Sequence, residues 1–172
     1  MSKIYQRLQF VTNLLIIIAL VFFVRGLIGK SNTATPPDKT GARHAELPKV
    51  GDKVALSDVD WSKSNKNVLL VLQTGCHFCS ESAGFYRNLI AQTKDGNIKV
   101  VAVLPQTHEE AIKYLNGLNI SGIEVKQSQL DSLLVAGTPT IIVTNKQGEI
   151  TDVWLGKLQP NEEETVLAKI RG

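Results

Sequence analysis

The sequence predicts an α/β fold, a central mixed sheet flanked by helices, carried behind an N-terminal transmembrane helix. Apolar runs of strand length alternate with stretches of helical apolar spacing from about residue 47 onward. The chain's only two cysteines stand together as Cys76-His77-Phe78-Cys79, at the junction between one such run and one such helix. Residues 8–24 carry no charge at all.

That uncharged run, with its dense block from Leu14 to Val24, spans ~26 Å as a helix, slightly short of a bilayer's hydrocarbon core. Arg7 and Arg25 can snorkel, and Leu27 and Ile28 can extend the span. Arg25 follows the block at once and no small-x-small site ends it, so an uncleaved signal-anchor over residues 1–29 fits better than a cleaved signal. Lys3 and Arg7 are matched by Arg25 and Lys30, and the charge rule does not set orientation. A short basic N-terminus ahead of a first apolar segment usually stays in the cytoplasm, which puts the rest in a periplasm or equivalent. The absence of any cysteine beyond the pair fits an oxidising compartment, where a spare thiol invites wrong disulfides. Residues 30–46 lack an apolar period and carry Pro36-Pro37, so they read as a flexible linker in which His44 is a solvated residue.

The remaining 47–172 form one domain. The composition of the 172-residue chain, 43% hydrophobic and 20% charged, is that of a globular protein. A net charge of +3 is too mild to imply nucleic acid. Strands are expected near 53–56 and 68–73, then a helix over about 80–92 with Ala83, Tyr86, Leu89 and Ile90 on one face. The run 98–104 is nearly all apolar, as in a strand covered on both faces. A helix over about 108–118 follows, N-capped by Thr107, with Ala111, Ile112, Leu115 and Leu118 at helical spacing. Strands 140–144 and 149–155 flank Asn145-Lys146-Gln147-Gly148, a hairpin with a turn glycine. Pro160 opens a last helix whose first turn holds Glu162, Glu163 and Glu164, as the helix dipole prefers.

A strand that delivers Cys76 to the first turn of a helix aims free backbone N–H groups at its sulfur and lowers the thiol pKa. Cys79 lies within the same turn and can attack a mixed disulfide formed at Cys76. Other readings of the spacing are weaker. Structural zinc needs four ligands, and His44, His77 and His108 are scattered. Covalent haem needs a histidine where Ser80 stands. A bridge across so small a loop constrains the unfolded chain little.

With Gly137-Thr138-Pro139-Thr140 some sixty residues after the cysteines, followed by the hairpin from Ile141 to Trp154, the chain from about Val50 onward resembles the thioredoxin fold. The anchor, the linker and the Gly-Thr-Pro-Thr form are similar to the extracytoplasmic TlpA and ResA group. The resemblance implies that Pro139 is cis and lies against the sulfurs, and that the Thr138 backbone pairs with substrate. The chain also departs from that pattern. Gly75 precedes the first cysteine where many relatives have Trp, and His77-Phe78 contains no proline. Leu70 stands where relatives often carry a buried acid that serves the second cysteine. Glu81 is a candidate substitute, though a carboxylate at a helix start is favoured by the dipole alone, and Gln73 has no assigned role. His77, beside Cys76, can stabilise the thiolate and so favour the reduced form.

The expected function is a membrane-anchored thiol/disulfide oxidoreductase, with Cys76 as nucleophile, Cys79 resolving, His77 and Phe78 tuning, and Thr138 and Pro139 binding substrate. It requires no cofactor beyond the redox-active Cys76/Cys79 disulfide and no metal. Its partners are protein thiol/disulfide clients and a membrane dithiol electron donor; a reductant is the expected direction, and an oxidase or isomerase role stays open. Two alternatives stay open: a copper-binding assembly factor in which His77 or His108 completes a Cys76/Cys79 site, and a non-catalytic redox sensor.

Overall fold

Val68 to Leu72 and Val100 to Leu104 are each buried throughout, and their alternate side chains enter two different apolar clusters on opposite faces of one sheet. A continuous apolar run is what a strand covered on both sides requires. In the computed structural model, the described residues are Ile16, 48–94 and 97–172. The expected anchor at 1–29 and linker at 30–46 lie outside them, apart from Ile16. Among the described residues no helix is long and apolar enough to cross a membrane.

The elements run β1 (Lys66–Val71), α1 (His77–Glu81), α2 (Ala83–Gln92), β2 (Ile98–Leu104), α3 (His108–Gly117), β3 (Glu124–Gln127), β4 (Thr140–Asn145), β5 (Ile150–Leu155) and α4 (Pro160–Arg171), with short 3₁₀ turns at Trp61–Lys63 and Asp131–Leu133. The sheet order is β3-β2-β1-β4-β5. β2 is parallel to β1 and to β3, while β4 is antiparallel to β1 and to β5. β1 is therefore the central strand, and the turn leaving its C-terminal end sits mid-sheet. One face carries residues of all four helices: Cys79 of α1, Phe85, Tyr86 and Leu89 of α2, Ala111 and Leu115 of α3, and Val166, Leu167 and Ile170 of α4. The other face is covered by irregular chain and the two 3₁₀ turns, with Val54, Leu56, Val59, Trp61, Leu133 and Val135 packed on Val71, Val103 and Ile142.

The structure departs from the sequence expectations at four elements. The strand expected near 53–56 reduces to a single bridge between Lys53 and Glu149. The helix expected over 80–92 begins earlier and is two helices, interrupted at Ser82. There the Ser82 hydroxyl donates to the Phe78 carbonyl at 2.8 Å, the back-bonding to i−4 that bends helices. Ile112, expected on the buried face of α3, is 37% exposed. β3 was not expected at all.

Other expectations have a visible cause in the structure. Thr107 caps α3 through a full capping box, its hydroxyl accepting from the Glu110 N–H while Glu110 accepts from the Thr107 N–H. Gly148 closes the β4–β5 turn at φ +76°, with the Trp61 ring 3.1 Å from where a Cβ would stand. Gln159, Pro160 and Glu162 start α4 as a capping box with proline in the first turn.

Candidate active site

After β1 ends at Val71, the Leu72 N–H still donates to the Val103 carbonyl at 2.9 Å, and the Thr74 N–H donates to the Gln106 side chain at 3.3 Å. The turn is thus pinned to the loop beyond β2. Gly75 then adopts φ +76°, a left-handed conformation that glycine takes without strain, and reverses the chain into α1. Cys76 is the N-cap of α1. Its sulfur accepts from the Cys79 N–H at 3.1 Å, one of the helix's otherwise unpaired donors.

Cys76 and Cys79 are joined as a disulfide, with Cα atoms 5.3 Å apart. Their environments differ sharply. Cys79 is fully buried in the helix-side cluster, whereas Cys76 is half-buried. Leu70, also fully buried, belongs to the same cluster, so β1 brings an apolar side chain rather than a carboxylate to it. Gln73 is exposed and acts through its carbonyl, which accepts from the Cys76 N–H at 3.3 Å.

The Thr138–Pro139 peptide bond is cis, and the Thr138 carbonyl oxygen lies 3.4 Å from Cys76 Sγ. Pro139 is buried and its carbonyl accepts from the Gly156 N–H at 2.7 Å. The Thr140 hydroxyl donates to the Gly137 carbonyl at 2.7 Å, holding the approach to β4. Residues separated by some sixty positions thus meet at one sulfur. The cysteine pair sits at a strand-to-helix turn with a cis-proline loop against it.

No protein-family model matches the chain, and no curated protein sequence does. Among solved structures it is similar to a protein described as thiol:disulfide interchange protein DsbE from Chlorobium tepidum, at 20% identity and a TM-score of 0.58 over 72% of this chain and 96% of that one. It is similar also to the thioredoxin domain of a thiol-disulfide oxidoreductase from Bacteroides vulgatus, at 17% identity and 0.53 over 73% and 98%. A thiol:disulfide interchange protein from Bacteroides sp. gives 17% and 0.55 over 74% and 91%. The fold is thioredoxin-like.

Within this thioredoxin-like domain, His77 and Phe78 are both exposed, Phe78 by 54% of its surface. His77 Nε2 contacts Glu81 Oε1 at 3.0 Å, and the Lys157 ammonium donates to Glu81 Oε2 at 2.8 Å. The Lys157 hydrogen bond holds the Glu81 carboxyl below the usual carboxylate range against the opposing effect of burial, with the charges of Lys157 and His77 adding to it. This corrects the reading of Glu81 as a helix-start carboxylate. It is the last residue of α1, and what stabilises it is a cation from the loop after β5. Lys157 went unread in the sequence because it lies 76 residues from its partner. Phe78, Glu81, Lys157, Leu158, Pro160 and Glu163 line a recess beside the cysteine turn. His108, the first residue of α3, is exposed. Among the described residues no group of three His, Cys, Asp or Glu side chains converges on one point.

Proposed function

We propose that the chain is a thiol/disulfide oxidoreductase of the TlpA and ResA type, held at the membrane by residues 1–29, with its thioredoxin-like domain on the periplasmic or extracytoplasmic side. It acts there as a reductant of protein disulfides. The observation that carries this reading is the asymmetry of the pair. Cys76 is reachable from solvent and its sulfur receives a backbone N–H at a helix start, while Cys79 is sealed within the same turn.

That asymmetry assigns the steps. The Cys76 thiolate attacks one sulfur of a client disulfide. The client S–S bond breaks, one client sulfur leaves as a thiolate that takes up a proton, and a mixed disulfide joins Cys76 to the client. Cys79 then loses its proton and attacks Cys76 Sγ. The mixed disulfide breaks, the second client sulfur leaves and is protonated, and the Cys76–Cys79 disulfide forms. The client has gained two electrons and two protons, and a membrane dithiol donor returns them to the pair. Thr138 and Pro139, against Cys76, are where the client backbone docks.

The test replaces Cys79 with alanine in the full chain. The Cys79→Ala protein should accumulate covalent client adducts through Cys76 that dithiothreitol releases, and Cys76→Ala should accumulate none. If Cys76 alkylates readily in the Cys79→Ala variant yet no adduct forms with any disulfide protein, the exchange mechanism is wrong.

A further inference from the structure

The contacts around Cys76 close into a ring. His77 and Lys157 both contact Glu81, at 3.0 and 2.8 Å. Lys157 follows Gly156, whose N–H donates to the Pro139 carbonyl at 2.7 Å, and the Thr138 carbonyl returns to Cys76 Sγ at 3.4 Å. The ring joins α1, the loop after β5 and the cis-proline loop, and in it the Glu81 carboxylate lies between two basic side chains, His77 and Lys157. Glu81 lies five residues after Cys76, roughly 8 Å along a helix, within the distance of ~8–10 Å over which salt leaves charges visible to each other. The side chains of Lys157 and Glu81 are 40% and 36% exposed, so their attraction contributes little to folding. Either charge would bear on a thiolate formed at Cys76. A carboxylate disfavours that thiolate and an ammonium favours it. Paired, they largely cancel; either one alone would not.

We infer that Glu81 and Lys157 are an opposed charge pair that sets the redox poise of the Cys76/Cys79 couple, a role that rests on the thiol/disulfide exchange proposed above. They act through the field at Cys76 and touch no client atom. Removing the carboxylate with Glu81→Gln leaves an unopposed cation, which stabilises the reduced form and makes the couple more oxidising. Removing the ammonium with Lys157→Met leaves an unopposed anion and makes it more reducing. The double variant returns toward the parent.

The experiment equilibrates the full-length chain and the three variants in glutathione buffers, in detergent, and reads the oxidised fraction by the mass shift on thiol alkylation. The two single variants should move the exchange equilibrium constant three- to tenfold in opposite directions, about 14–30 mV for a two-electron couple. Both shifts should shrink in 1 M salt, where screening acts within ~3 Å. A merely structural bridge would lower the unfolding midpoint of both variants without moving the potential in opposite senses. Shifts of the same sign, or none, overturn the inference while leaving exchange intact. If the parent chain exchanges with no dithiol, the exchange reading itself falls and this inference with it.

Discussion

The Tyr86 hydroxyl lies in the same apolar cluster as Cys79, 1% exposed, with no hydrogen-bond partner among the described residues. Burial raises its pKa well above the ordinary phenol value. The Ser82 hydroxyl donates to the Phe78 carbonyl, and the phenol is left without a partner. An unpaired buried hydroxyl costs about 1–3 kcal/mol, and its ring packs edge-on to Phe85 whether or not the oxygen is present. Tyr86→Phe should therefore leave the fold intact and raise stability by about 1 kcal/mol, read as a higher urea midpoint at unchanged slope. A drop of that size would mean that the oxygen is paired. At this scale the sequence named Cys76, Cys79, Thr138 and Pro139, which the structure brings to one place, because a short motif and a Thr-Pro pair are visible as letters. It did not name Lys157, since a single lysine in a loop announces nothing until the fold places it on Glu81.

Elements were legible where burial or local chemistry determined them. β2 matches its expected 98–104 because a nearly continuous apolar run suits a strand covered on both faces, and α3 begins where Thr107 and Glu110 close a capping box. β3 was invisible for the converse reason. Its sequence, Glu-Val-Lys-Gln, shows no apolar period, and it is a strand because parallel pairing with β2 makes it one. The split at Ser82 escaped because a serine within an apolar helical period reads as tolerated until its hydroxyl is seen bonding back to Phe78. Charge ties β3 down as the edge strand: Glu124 receives Lys99 from β2 and Lys126 at 3.1 Å from its own strand. The hydrogen bond from Lys99 holds the Glu124 carboxyl below the usual carboxylate range, against burial and with help from Lys126. A depressed folded-state pKa gives stability that is fully present above the unfolded value, near pH 4.5, and is lost as pH falls through the lower folded value. Glu124→Gln should thus cost less than ~1 kcal/mol at pH 7 and flatten the acid limb of a stability–pH curve below about pH 4.5. An acid limb identical in the parent and the variant would remove Glu124 from that account.

For the whole molecule, the contrast between the two cysteines provides a probe of the proposed membrane arrangement. Cys76 is half-buried and Cys79 fully buried, so after mild reduction one thiol, not two, should react quickly with a bulky, membrane-impermeant maleimide. The proposed arrangement, an anchor at 1–29 with the domain outside the cytoplasm, makes Cys76 the label's first target in intact cells. The same anchor should keep the full chain in the membrane fraction through an alkaline wash, whereas a chain beginning at residue 47 loses the uncharged run and should wash off. The two readouts separate the parts of the proposal. Retention with labelling only after lysis would keep the anchor and reverse the orientation, and a reductant of extracytoplasmic disulfides could not then work from that side. Release of the full chain by the wash would remove the anchor. Labelling in intact cells together with retention is the outcome that places the pair where client disulfides form, and where its electrons must come from a donor that spans the membrane.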